Sequence, residues 1–124
     1  MPVLRIVDSI TELNAGNADC IAVSGSHGGL SSAHYALAAR PLLSVFNDAG
    51  AGLHNAGFAA LDFLQSHNLA ACTVAHDSAR IGEAQSTLAS GVVSHVNAAA
   101  LALGMQTGWT CQQAVDFILN SLES

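Results

Sequence analysis

Short apolar runs alternate with longer stretches whose apolar residues recur at helical spacing, and this alternation repeats along the chain. "VLRIV", Val3 to Val7, predicts a first strand. "DSITEL" follows it with Ser9 three residues before Glu12, the spacing of a capping box, so a short helix or turn comes next. "CIAVS", from Cys20, reads as a compact buried strand. Leu30 to Ala39 reads as a helix ended by Pro41, because proline drives the residue before it out of the α region. "PLLSVF" is the next strand, with its proline tolerated at the start. After "NDAGAG", the stretch from Leu53 to His67 sets Leu53, Ala56, Gly57, Ala60, Leu61 and Leu64 on one helical face, and Gly57 in that stripe predicts a close approach of helix to sheet.

"LAACTVA" makes a further strand and "HDSARIGEAQ" the loop after it. "GVVSHV" fits either a short strand or the entry to a helix that "NAAALALG" carries to Gly104, a natural residue to follow a helix end. Thr110 with Gln113 forms a second capping box, and "CQQAVDFILNSL" is a closing helix. Strands alternating with helices imply βαβ crossovers and a mostly parallel sheet covered on its faces. The expected fold is therefore a small three-layer α/β domain spanning residues 1–124, its strand order open.

Composition bears on partners. Half of the 124 residues are apolar and only a tenth are charged, against about a quarter in an average soluble domain. Too few charges remain to cover a lone globule, so a homo-oligomer is expected. A membrane is not, since no run of about 18 uninterrupted apolar residues occurs. Nine acids face three arginines, Arg5, Arg40 and Arg80, with no lysine, which removes the basic face that nucleic acid requires. "MPVLRIVDSITEL" has neither the basic start nor the apolar core of a secretory signal, so a cytoplasmic location is expected. The cysteines, Cys20, Cys72 and Cys111, are odd in number and lack C-x-x-C spacing, so buried reduced thiols are expected.

The chemistry gathers where strands end. Open parallel sheets bind ligands beyond the carboxyl ends of their strands, where loops converge. Three predicted strands end in "SGSHGG", "NDAGAG" and "HDSARIG". One edge would then collect Ser24, Ser26, His27, Asn47, Asp48, His76, Asp77, Ser78 and Arg80. Gly25, Gly28, Gly29, Gly50 and Gly52 would let a ligand meet bare backbone amides, or simply serve tight turns. Arg80 is the one cation in these loops and suits a carboxylate or phosphate, with Asp77 placed to hold it; a purely structural ion pair is the plainer alternative. His27 and His76 would move protons, oriented by Asp48 or Asp77.

Ser26 sits in a small-x-Ser-x-Gly pattern like a nucleophile elbow, although the chain is short for a hydrolase of that architecture. No metal or other cofactor is expected. His27, Asp48, His76 and Asp77 would be the ligands of a metal assembled across loops, but H-x-x-x-H and H-E-x-x-H spacings are absent. The glycines of "GSHGGL" do not fit G-x-G-x-x-G, and a Walker A loop fails for want of lysine. These residues point to an enzyme for a small polar, carboxylate-bearing metabolite, by hydrolysis or by proton-transfer or elimination chemistry. Ser26 or Ser78 would supply a hydrogen bond or a nucleophile. The alternative is a non-catalytic metabolite-binding or assembly subunit.

Overall fold

A computed structural model of the chain describes residues 3–14, 16, 18–50 and 58–123. Its sheet is ordered β1 (Leu4–Val7), β2 (Ile21–His27), β3 (Leu43–Asn47), β4 (Ala70–Val74) and β5 (Val93–Val96). β1 to β4 are parallel and follow chain order, while β5 returns antiparallel to β4. Between and after them come a 3-10 helix (Ile10–Glu12), α1 (Leu30–Ala39), α2 (Ala59–Gln65), α3 (Ala84–Ser90), α4 (Ala98–Ala102) and α5 (Cys111–Glu123). The protein is a small α/β domain with a mostly parallel sheet.

The period-2 alternation of the strands sorts their side chains into two cores. Ile21, Val23, Leu43, Val45, Cys72 and Val74 pack on one face, with Ala114, Val115 and Ile118 of α5 and with Leu88 of α3. Ala22, Phe46 and Ala71 pack on the other, beneath Ala33, Ala36 and Ala39 of α1, Ala60, Leu61 and Leu64 of α2, and Ile10. Burial on both faces is why β2, β3 and β4 read as continuous apolar runs rather than alternating ones. The alanine stripe of α1 lets that helix lie close on the sheet.

Both capping boxes form. Ser9 and Glu12 cap the 3-10 helix reciprocally. At α5, the Gln113 N–H donates to Thr110 Oγ1 (3.1 Å) and the Thr110 N–H to Gln113 Oε1 (2.9 Å). "GVVSHV" resolves as β5, and Gly104 follows α4 with a φ of 98°. The stripe on α2 holds at Ala60, Leu61 and Leu64; Leu53, Ala56 and Gly57 lie outside the described residues, as does Gly52.

Two boundaries differ from expectation. β2 runs on past Ser24 through Gly25, Ser26 and His27, which the sequence assigns to a loop. Its register slips against β3: Val23 faces Val45 but His27 faces Asn47, so β2 accommodates extra residues, and the Ser24 hydroxyl donates to the Val45 carbonyl there (2.7 Å). The loop over "HDSARIGEAQ" is also too long, because α3 begins at Ala84. No side chain of its own first turn caps that helix. Asp8 Oδ1, at the end of β1, accepts the Ala84 N–H (3.0 Å), a cap brought from 76 residues away and invisible to local pattern.

All three cysteines are free and buried. No helix among the described residues is long and apolar enough to cross a membrane.

Candidate functional site

The parallel order puts the carboxyl ends of β1 to β4 on one edge, and the connections leaving that edge do not all go the same way. The chain after β3 returns through α2 on one face of the sheet, whereas the chain after β4 crosses to α3 on the other. Loops that part to opposite faces open a crevice between their strands. A cavity of about 820 Å³ lies there, with Asn47 and Ala49 on the β3 side and His76, Asp77, Ser78, Arg80, Glu83 and Ser86 among the residues of the β4 side.

Asp48 and His76 meet across this crevice. Asp48 is buried, and its Oδ1 accepts the N–H of Gly50 (2.9 Å) and of His76 (3.0 Å) while lying 3.5 Å from His76 Nδ1. Gly50 has a φ of 72°, a left-handed conformation that folds its amide back onto the carboxylate. Its bare backbone also lies against the His76 ring: a Cβ there would stand 3.6 Å from His76 Cε1. The carboxylate side chain is 9% exposed and the imidazole 60%. The two side chains are in close contact without a hydrogen bond between them, and the amide bonds to Asp48 Oδ1 fix the carboxylate beside the Nδ1 side of the ring.

Arg80 pairs with Glu83, not with Asp77 as the sequence suggests. Its Nη1 stands 3.8 Å from Glu83 Oε2, and the two side chains are 81% and 55% exposed. A turn just before α3 brings the two positions together: the Glu83 N–H donates to the Arg80 carbonyl (3.2 Å), and the Arg80 N–H donates to Ser86 Oγ (2.9 Å). Asp77 is exposed and lines the same cavity.

The remaining expected residues have other duties. Ser24 is fully buried on Val45. Ser26 Oγ accepts the Ile10 N–H (2.9 Å), anchoring the 3-10 helix. Gly25 lies at a crossing of backbones: its N–H donates to the Asp8 carbonyl (3.1 Å), and its carbonyl accepts the Gly82 N–H (2.7 Å). The Gly28 N–H donates to the Asn47 carbonyl and its carbonyl accepts from Ala60, while Gly29 begins α1 and accepts the Ala33 N–H. Asn47 is buried and braces the crevice, its Nδ2 donating to the Ala79 carbonyl (3.2 Å) and its Oδ1 accepting the Ala49 N–H (2.8 Å). The Ser78 hydroxyl donates to the Ala75 carbonyl (2.6 Å) and accepts the Val92 N–H (2.9 Å). His27 is exposed beside Asn47 in register but does not line the cavity.

Sequence reasoning missed Glu83, Ser86 and Asp8. The first two carry a signal only once a helix is placed at Ala84, and Asp8 none at all, because its role depends on which strand lies beside β2. Among the described residues no group of three His, Cys, Asp or Glu side chains is arranged to hold a metal ion; of His27, Asp48, His76 and Asp77, the paired ones are Asp48 and His76. Burial pushes the Cys111 thiol up to about 12 and raises those of Cys72 and Cys20, which keeps them protonated and poorly nucleophilic. No family model, curated protein or solved structure matches this chain.

Proposed function

We propose that the crevice between the ends of β3 and β4 is the active site of an enzyme for a small polar, carboxylate-bearing metabolite. His76 is its proton carrier, Asp48 holds the ring, and Arg80 receives the substrate's anion. The observation that carries this reading is the buried Asp48 carboxylate set against Nδ1 of a largely exposed histidine at the rim of a cavity of about 820 Å³. The hydroxyls of Ser24, Ser26 and Ser78 are all engaged with backbone partners, which favours proton abstraction beside a carbonyl, or activation of a water, over an acyl-serine route.

The test is turnover, or α-proton exchange followed by NMR in D2O, over a panel of amino, keto, hydroxy and dicarboxylic acids. Replacing His76 by Gln should lower kcat by roughly 10²–10⁴-fold with the fold intact, the usual share of general acid–base catalysis. A His76→Gln variant as active as wild type would refute the assignment. The second reading, a non-catalytic binding or assembly subunit, draws on Leu30, Tyr35, Leu101 and Phe117, large apolar side chains left exposed on a chain with few charges. It shares with the first the expectation of a homo-oligomer, and a strictly monomeric mass in light scattering would remove that expectation.

A further inference from the structure

The charges at the mouth of the crevice narrow the substrate class. Arg80 Nη1 and Glu83 Oε2 stand 3.8 Å apart, an ion pair too long for a hydrogen bond. The guanidinium has five N–H donors, and its contact with Glu83 engages none of them in a hydrogen bond. Both charges keep their hydrogen-bonding capacity, both side chains are mostly exposed, and both line the cavity together with His76 and the exposed Asp77.

This arrangement fits poorly with a simple anion. A carboxylate or phosphate docking on Arg80 would arrive beside the Glu83 carboxylate and near that of Asp77, in a protein whose net charge is already −6. It would have to displace Glu83 or tolerate its repulsion. A ligand that carries a cation next to its carboxylate meets the opposite situation. Its carboxylate takes the guanidinium fork, and its ammonium takes the acceptor lone pairs of Glu83, so that each protein charge gains a partner without losing one.

We propose that the substrate is a zwitterion of the α-amino acid type, with its carboxylate on Arg80 and its ammonium on Glu83, which presents the rest of the molecule to His76. The proposal rests on the reading of the crevice as a substrate site, and goes beyond it in making Glu83 a specificity-determining residue. Arginine and glutamate here read the two charges of one ligand.

The experiment is a thermal-shift and calorimetric titration of the full chain with three sets of probes: α-amino acids, the matching α-keto and α-hydroxy acids, and inorganic phosphate. Wild type should bind at least one amino acid about tenfold or more tighter than its keto and hydroxy counterparts. Arg80→Ala should lose binding of all carboxylates. Glu83→Gln should weaken the amino acid while leaving the keto acid as tight or tighter, so the preference flattens or reverses. Because both side chains are largely exposed, both variants should fold, and circular dichroism checks this. If wild type prefers the keto or hydroxy acid and Arg80→Ala abolishes that binding, the zwitterion proposal fails while the anion site stands. If none of the probes binds at tens of millimolar, both fail. If Glu83→Gln leaves an amino-acid preference unchanged, Glu83 does not read the ammonium, and the proposal is overturned.

Discussion

Replacing Gly25 by Ala tests whether the most glycine-rich motif of the sequence serves geometry. Gly25 sits inside β2 where three backbones converge. A Cβ built on it would stand 2.5 Å from Glu83 N, 2.6 Å from the Gly82 carbonyl carbon and 2.8 Å from the Asp8 carbonyl oxygen. The nearest is nearly an ångström short of ordinary contact, and since all three are main-chain atoms no side-chain rotation relieves the clash. The added methyl must push the Gly82–Glu83 segment away from the sheet, which stretches the 2.7 Å bond from the Gly82 N–H to the Gly25 carbonyl. Overpacking of this kind costs about 1–3 kcal/mol and a lost backbone hydrogen bond about 1 more, so about 2–4 kcal/mol is expected. In a domain of this size that lowers Tm by on the order of 10 °C. Urea unfolding followed by circular dichroism should show a lower midpoint with an unchanged slope. A loss below about 1 kcal/mol would refute the reasoning, because it would mean that the β4–α3 connection is not pressed onto β2.

Two further predictions concern buried groups. Asp48→Ala removes the acceptor shared by the Gly50 and His76 amides and should cost about 2–4 kcal/mol, whereas Asp48→Asn, which keeps an oxygen there, should cost about 1 kcal/mol; equal losses in urea titrations would show that the site does not depend on these bonds. The Cys111 thiol, at about 12 in the folded chain against 9.0 for an ordinary thiol, keeps its proton when the unfolded chain has released it. Stability is therefore full below pH 9 and falls by about 1.4 kcal/mol per pH unit as the pH climbs from 9 towards 12, with Cys72 adding in the same direction. Cys111→Ala should flatten part of that alkaline slope, and rapid alkylation of the native thiols at pH 8 would contradict the burial on which the prediction rests.

What could be read from the chain is what local pattern determines. The α1 boundaries, Leu30 and Ala39, follow from helical spacing and from Pro41, and both capping boxes are encoded within four residues of sequence. The parallel sheet followed from alternation of elements, and with it the meeting of Asp48 and His76 at one edge. What could not be read depends on contacts between distant segments. β2 continues past Ser24 because Asp8 and Gly82 lie alongside it and bond to Gly25, so a Gly-Ser-His run that looks like a loop is held as strand. α3 is weakly helical by composition, with Ser86, Thr87 and Ser90 in seven residues, and leans on Asp8 for its cap. Several polar residues of the opening motif, Ser24 and Ser26 above all, are polar because backbone groups in an irregular stretch need partners.

The position of the crevice follows from the same dependence on long-range order. In a sheet whose strands simply follow one another, with every crossover on one face, no pair of neighbouring loops diverges and no cleft forms at the edge. Here β1, β2 and β3 each send their chain over the face that carries the 3-10 helix, α1 and α2, and the pattern breaks once, after β4, where the chain passes to α3 on the opposite face and reaches as far as β2 and β1. That break sends α2 and α3 to opposite faces beyond the ends of β3 and β4, and the clamp at Gly25 holds the far end of the diverted segment in place. Arg80 and Glu83 sit on that segment and line the cavity with His76, so the residue pair that would select the ligand is positioned by a glycine of β2, two strands away from the β4 end that carries His76. Displacing the segment should therefore disturb ligand selection before it disturbs the Asp48–His76 pair, which is carried by the strand ends themselves.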